Sequence, residues 1–180
     1  NPQCVDGLDG KAFQYGVGKG VSIPHGDFIN FGPSDSFTLA AVVKPHTLEV
    51  NACDENGQWC IDGGAIVAKC PTDNWAWNYG LVYSTNSHQF IFGYHWNNLI
   101  YSPVVSEDDW HLVVGTYNNG TWKLYVDNQL AGTVGNHFIW QSEGPLDIGR
   151  RATSNYPLFF QGLIDEVRVY DSALSINDIQ

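Results

Sequence analysis

Residues 108–134 read DDWHLVVGTYNNGTWKLYVDNQLAGTV, and their periodicity decides the fold. Trp110, Leu112 and Val114 alternate with His111 and Val113. Asn118-Asn119-Gly120-Thr121 then supplies turn chemistry, because Asn and Gly tolerate the positive φ angles of a two-residue hairpin turn. Trp122, Leu124 and Val126 alternate with Lys123, Tyr125 and Asp127, and Asn128-Gln129 begins a second turn before Leu130. A repeat of two broken by Asn-Gly predicts consecutive antiparallel strands with one buried face. On this reading Trp110 and Trp122 belong to the core.

The same alternation recurs outward from the meander. Ser36–Lys44 places Phe37, Leu39, Ala41 and Val43 on one face, and Pro45 ends the run. Tyr79, Leu81 and Tyr83 alternate, as do Phe90, Phe92, Tyr94 and Trp96. In Gly162–Tyr170, Val167 and Val169 face one way, and Ile164, Glu166, Arg168 and Tyr170 the other. Shorter strands are predicted at Ala12–Tyr15, Val21–Ile23, Ala65–Lys69 and Leu146–Gly149, with a helix only within Leu174–Gln180. Many short strands joined by Gly- and Pro-bearing turns predict an all-β fold, an antiparallel β-sandwich or jelly roll. A length of 180 residues suits one domain, 1–180, with a core that needs no metal or partner to form.

Charge narrows the partners. A net charge of −11 with eight Lys plus Arg leaves no basic footprint for nucleic acid or an anionic membrane. A neutral partner fits better. Four cysteines stand at 4, 53, 60 and 70 without a CxxC pair, which argues against a zinc ribbon. Cys53 and Cys60 bracket a polar loop that a disulfide would clamp, and Cys4 with Cys70 is then the natural second pair. Four cysteines permit three connectivities, and free thiols are the alternative. Disulfides imply an oxidising, extracellular setting. No apolar run is long enough to span a bilayer. A chain that opens Asn-Pro-Gln-Cys, without Met, reads as part of a longer secreted protein.

One ordered set of segments carries a resemblance. Gly10-Lys11-Ala12-Phe13, Ser36-Phe37-Thr38-Leu39, Trp110–Tyr117 (WHLVVGTY), Leu124-Tyr125-Val126-Asp127, Ile148-Gly149, Gly162–Tyr170 (GLIDEVRVY) and Ala173-Leu174-Ser175 span nearly the whole chain. Together they resemble the laminin-G-like, concanavalin A-like lectin/glucanase superfamily. The resemblance implies two stacked antiparallel sheets, one curved, and a carbohydrate-binding or adhesion module attached to a secreted enzyme. It also implies a structural calcium ion at the sandwich edge, with Asp165 as best ligand and Asp35 and Asp6 brought beside it. The fold alone does not fix the function, because glycosidases and lyases share it.

Catalysis is not expected. Glycoside hydrolysis needs two carboxylates about 5 Å or about 6.5–9.5 Å apart. The related glucanases carry an E-x-D-x-x-E strand that has no counterpart here. Glu107-Asp108-Asp109 is contiguous and reads as a solvated turn, while Asp165-Glu166 diverge across a strand.

Sugar binding asks for exposed aromatics, whose rings stack on C–H faces, beside amides and charges that take the hydroxyls. Three clusters meet that requirement: Trp75, Trp77 and Tyr79; Tyr94, His95, Trp96 and Asn97; and Trp140 with Gln141, Arg150, Arg151 and Tyr156. The expected partner is a polysaccharide or oligosaccharide. Trp77→Ala and Trp96→Ala are expected to weaken binding without unfolding the domain. The alternatives are an extracellular adhesion or receptor domain that binds protein and, below it, a lyase or glycoside hydrolase.

Overall fold

The computed structural model describes residues 1–46, 63–71, 77–94, 98–151 and 158–179. In chain order the strands are β1 (Gln3–Asp6), β2 (Lys11–Tyr15), β3 (Val21–Ile23), β4 (Ser36–Pro45), β5 (Gly64–Lys69), β6 (Tyr79–Ser84), β7 (Gln89–Tyr94) and β8 (Asn98–Tyr101). They continue with β9 (His111–Asn118), β10 (Thr121–Val126), β11 (Gln129–Val134), β12 (Leu146–Ile148), β13 (Arg150–Arg151), β14 (Leu158–Phe159) and β15 (Gly162–Tyr170). One 3-10 turn (Asp27–Ile29) and one short helix, α1 (Ile176–Ile179), are the helical elements among the described residues.

Two sheets result. The first runs β1-β2-β15-β4-β9-β10-β11, so the N-terminal hairpin and the closing strand sit beside the meander. The second runs β13-β14-β5-β6-β7-β8, with β12 added at β5 and β3 added at β12. Phe37, Leu39, Ala41 and Val43 from the first sheet meet Tyr79, Leu81, Tyr83, Phe90 and Phe92 from the second in one core. Trp122 is fully enclosed there. Its ring centre lies 5.1 Å from Phe92 and 4.7 Å from Tyr117, and its Nε1 donates to the His137 carbonyl at 2.7 Å. Interlocked aromatic faces and edges of this kind add to the hydrophobic gain of burial.

The hairpin turns follow the expected chemistry. Asn119 (φ 42°) and Gly120 (φ 83°) link β9 to β10, and Asp127 (φ 50°) and Asn128 (φ 64°) link β10 to β11. The second turn therefore falls one residue earlier than Asn128-Gln129.

The phase of β9 differs from the expectation. His111, Val113 and Tyr117 are buried on the core side. Leu112 and Val114 face outward, where Leu174, Ile176 and Ile179 cover them. Both faces of β9 are apolar because the C-terminal segment folds back over the outer one, so alternation alone does not say which face is inside. Trp110 precedes β9 and is half-buried rather than core. In β15, a bulge between Asp165 and Arg168, with Glu166 at φ 49°, resets the alternation. An extra residue in one strand shifts the phase of everything after it. Ile164 stays in the core, and Val167 and Val169 now pack against it from the same side, leaving Glu166 and Arg168 exposed.

The suggested Cys4–Cys70 disulfide is absent. Cys4 is exposed on β1, opposite Phe13, whereas Cys70 is buried just after β5 in the other sheet. Cys53 and Cys60 lie outside the described residues.

Candidate functional site

The outer face of the second sheet is built around a row of small side chains. Ser22, Asp147, Ala68, Gly80, Gly93 and Leu99 stand in register across β3, β12, β5, β6, β7 and β8. Directly opposed residues share a face, so the alanine and two glycines cut a trough into it. Trp77 belongs to the cluster on this face, packing with Ala65, Ala68, Val82, Ile91 and Leu158, and its Nε1 donates to the Gly93 carbonyl at 3.1 Å. The Arg151 guanidinium lies 5.8 Å from the centre of the Trp77 ring.

The structure thus brings together members of two of the three sequence clusters, Trp77 from the first and Arg151 from the third. It does so by burying them. Trp77 is only 3% exposed and Arg151 1%. Tyr79 is enclosed in the core, where its hydroxyl donates to the Ile29 carbonyl at 2.7 Å. Tyr94 is half-buried against the core. These side chains serve packing, which corrects the expectation that Trp77, Tyr79 and Arg151 face a ligand. Burial lowers the pKa of Arg151, with the nearby Cys70 acting in the opposite sense. Arg150 is half-buried, its Nε 3.9 Å from Asp147, which is itself fully buried and accepts from Ser22 Oγ at 2.6 Å. Trp75, His95, Trp96, Asn97 and Tyr156 lie outside the described residues.

Trp140 is the exception among the described candidates. Its side chain is 64% exposed, although the backbone beneath it is pinned on two sides. The Asn78 side chain donates to the Trp140 carbonyl and accepts from the Trp140 amide at 3.4 Å. The Asn30 carbonyl accepts from Gln141 Nε2 at 3.4 Å, and Asn30 Oδ1 accepts from the Ser142 amide at 2.8 Å. Ile139, one residue before, is fully buried and anchors the loop in the core. A large ring is therefore held in water by a loop with little freedom to fold it away.

Polar groups lie beside the loop that carries this ring. Gln141 Cγ and Asp35 Oδ2 lie 3.4 and 3.5 Å from the point a Cβ on Gly32 would occupy, so an amide and a carboxylate flank one bare backbone position. Asp35 is fixed by the Gly32 amide, which donates to Oδ2 at 2.7 Å. The holding roles of Asn30 and Asn78, and the position of Asp35 beside Gln141, had no signal in the sequence: these residues are far apart in the chain, and loop packing alone joins them.

Asp35 is consequently not a neighbour of Asp165. Asp165 pairs with Val42, seven positions along β4, a span of about 23 Å at roughly 3.3 Å per residue. Asp6 is exposed and holds Lys11 at 2.5 Å. Asp165 itself is 7% exposed. Its Oδ1 accepts from the Glu166 amide at 2.9 Å, and its Oδ2 has no hydrogen-bond partner. Oδ2 faces Gly7, where an added Cβ would come within 2.5 Å of it. An orphaned, buried carboxylate oxygen fits a cation, although no three His, Cys, Asp or Glu side chains gather around one among the described residues.

Two facing antiparallel sheets with a convergent loop edge define the class: a jelly-roll β-sandwich module. The profile of the concanavalin A-like lectin/glucanases superfamily matches residues 16–180, and the chain belongs to that superfamily. No curated protein sequence matches it. Among solved structures, domain 4 of AbnA, a GH43 extracellular arabinanase from Geobacillus stearothermophilus, in complex with arabinotriose, aligns with a TM-score of 0.75 and 17% identity, over 99% of this chain and 79% of that one. The binding domain of Paraclostridial mosquitocidal protein 1 gives 0.73 and 15%, over 99% and 44%. A Trypanosoma rangeli sialidase gives 0.67 and 21%, over 98% of this chain but 27% of the enzyme. At these identities the likeness is one of fold.

Proposed function

We propose that this chain is a non-catalytic carbohydrate-binding module. The observation that carries the reading is Trp140, a solvent-facing ring on a loop pinned by Asn78 and Asn30. The ring offers a stacking surface for the C–H face of one sugar residue, and Gln141 and Asp35 supply hydrogen-bond partners for its hydroxyls. The arabinotriose held by the fold-related arabinanase domain supports an oligosaccharide as the ligand class.

Carboxylates at the opposite end of β4 are engaged with histidines. Asp108 Oδ1 lies 2.6 Å from His46 Nδ1, and Glu107 Oε1 lies 3.4 Å from His88 Nδ1. In this reading the module is secreted and attached to a polysaccharide-active enzyme, where tethering raises local concentration and makes a weak site useful. A calcium ion held by Asp165 completes the reading, the orphaned Oδ2 being its support.

A glycan array combined with a reducing-sugar assay tests the proposal. Binding to a neutral polysaccharide, without release of reducing ends, is the expected result. Failure to bind any glycan, or turnover of one, overturns it.

A further inference from the structure

Segment 137–142 crosses one end of the sandwich, from the first sheet to the second. It starts against the β9–β10 hairpin, where the His137 amide donates to the Gly120 carbonyl at 3.1 Å and the His137 carbonyl accepts from Trp122 Nε1 at 2.7 Å. It ends on the other layer. There Asn78, just ahead of β6, holds the Trp140 backbone, and the Ser142 hydroxyl donates to the Cys70 carbonyl at 3.4 Å. Between these anchors burial alternates: Phe138 is 46% exposed, Ile139 is fully buried and Trp140 is 64% exposed. Ile139 plugs the core, and a ring stands in water on either side of it. Two residues of chain span at most about 7 Å, which bounds the separation of the two Cα atoms.

Phe138 is placed as firmly as Trp140. Its ring lies against the bare Cα of Gly120, where an added Cβ would come within 2.7 Å of Phe138 Cε1 and 3.0 Å of Cζ. Gly120 has φ 83°, a conformation glycine takes without strain, so the turn and the seat for the ring depend on one residue. The turn supports one side of the ring, the two His137 hydrogen bonds fix the backbone before it, and the rest of its surface meets water.

The surroundings select the occupant. Segment 30–36 runs beside 137–142: Asn30 accepts from Gln141 Nε2 and the Ser142 amide, and the Asp35 carbonyl accepts from the Asn119 amide at 3.2 Å. The exposed side chains of Asp35, Asn118, Asn119 and Gln141 are thereby gathered at the same end of the sandwich. Two rings parted by a buried residue among amides do not form the continuous apolar patch that a protein partner covers. Segments 30–36, 118–121 and 137–142 contain no Lys or Arg, and the chain carries a net charge of −11, so an acidic glycan finds no counter-charge there. Resting on the carbohydrate reading above, we propose that Phe138 is a second stacking platform and that the ligand is a neutral linear polysaccharide bound along its length, with neighbouring sugar residues on Phe138 and Trp140. The sugar chain then runs from the β9–β10 turn toward β6, and the Asn119 and Gln141 amides take its hydroxyls.

Affinity electrophoresis in gels carrying arabinan, xylan, mannan, galactan, β-glucan or fructan identifies a polymer that retards the protein. NMR chemical-shift titration with its monosaccharide and its short oligosaccharides then measures how affinity grows with length. The wild type should gain about tenfold once a second sugar residue is present. Phe138→Leu keeps an apolar side chain over Gly120 but has no ring face; it should lose that gain and bind the monosaccharide as the wild type does. Phe138→Tyr should restore the gain, and Trp140→Ala should weaken binding at every length. Circular dichroism verifies that the variants fold. Retardation by none of the polymers overturns the carbohydrate reading and the second platform together. Binding that Trp140→Ala weakens and Phe138→Leu leaves unchanged overturns the second platform alone, as does affinity that does not grow beyond one sugar residue. Equal losses in Phe138→Leu and Phe138→Tyr also overturn it, because the position then acts through packing and not through stacking.

Discussion

The Arg151 guanidinium stacks 5.8 Å from the centre of the Trp77 ring, and neither residue reaches solvent. A cation over an indole face gains electrostatic energy that grows when both are desolvated. Trp77 is therefore a structural pillar of the second sheet's outer face, not a ligand platform. Its indole N–H is occupied by the Gly93 carbonyl, which ties the entry of β6 to β7. Trp77→Ala should cost about 3–5 kcal/mol of unfolding free energy, as truncation of a buried aromatic does. Urea denaturation measures this, and an unchanged midpoint would show that the ring is not integral to the packing.

Trp140→Ala should behave in the opposite way. An exposed ring contributes little to the core, so stability should move by no more than about 0.5 kcal/mol. Affinity for the bound glycan should fall at least about tenfold, since a stacking ring is the main contact of such a site. Asn78→Ala should weaken binding less, by loosening the loop that presents the ring. Retention of full affinity by Trp140→Ala moves the site away from this loop.

Much of the architecture was legible because it rests on local chemistry. The Asn119-Gly120 hairpin, the inward face of β4 and the Trp122–Leu124–Val126 face of β10 were readable from period and turn residues alone. The phase of β9 was not, because the Leu174–Ile179 segment that covers Leu112 and Val114 lies more than fifty residues downstream. The bulge at Glu166 was hidden for a similar reason: its positive φ belongs to a residue type that rarely adopts one. At the site, Trp77 and Trp140 look alike in sequence, each an indole next to an amide-bearing residue. Burial separates them, and burial depends on the trough that Ala68, Gly80 and Gly93 form only when their strands align.

Asp165 offers a test that needs no sugar. If its orphaned Oδ2 binds calcium, adding the ion should raise the melting temperature by several degrees over an EDTA-treated sample, because a ligand bound only by the folded state stabilises it by mass action. Asp165→Asn should remove that dependence on calcium. Identical melting of the wild type with and without the ion argues that the carboxylate acts only as a strand cap.

Alkaline pH should unfold the protein through its buried phenols. Burial pushes the Tyr15 hydroxyl up to about 12, and drives Tyr79 further in the same direction. In the unfolded chain a tyrosine ionises near pH 10. Between pH 10 and 12 the unfolded state therefore loses a proton that folded Tyr15 keeps, so stability is fully present below about pH 10 and falls as pH rises toward 12. For Tyr15 alone the loss reaches roughly 3 kcal/mol. Lys69 acts in the opposite sense: burial lowers its pKa, so the folded state releases the proton first, and stability rises with pH until the unfolded lysine also deprotonates. The expected profile is a shallow gain up to about pH 10 followed by a steep decline. Urea titrations at pH 9, 10, 11 and 11.5 would trace it, with tyrosinate absorbance reporting ionisation. Tyr15→Phe should flatten the decline, and a wild-type profile that stays level to pH 11.5 would show that the phenols reach water in the folded state.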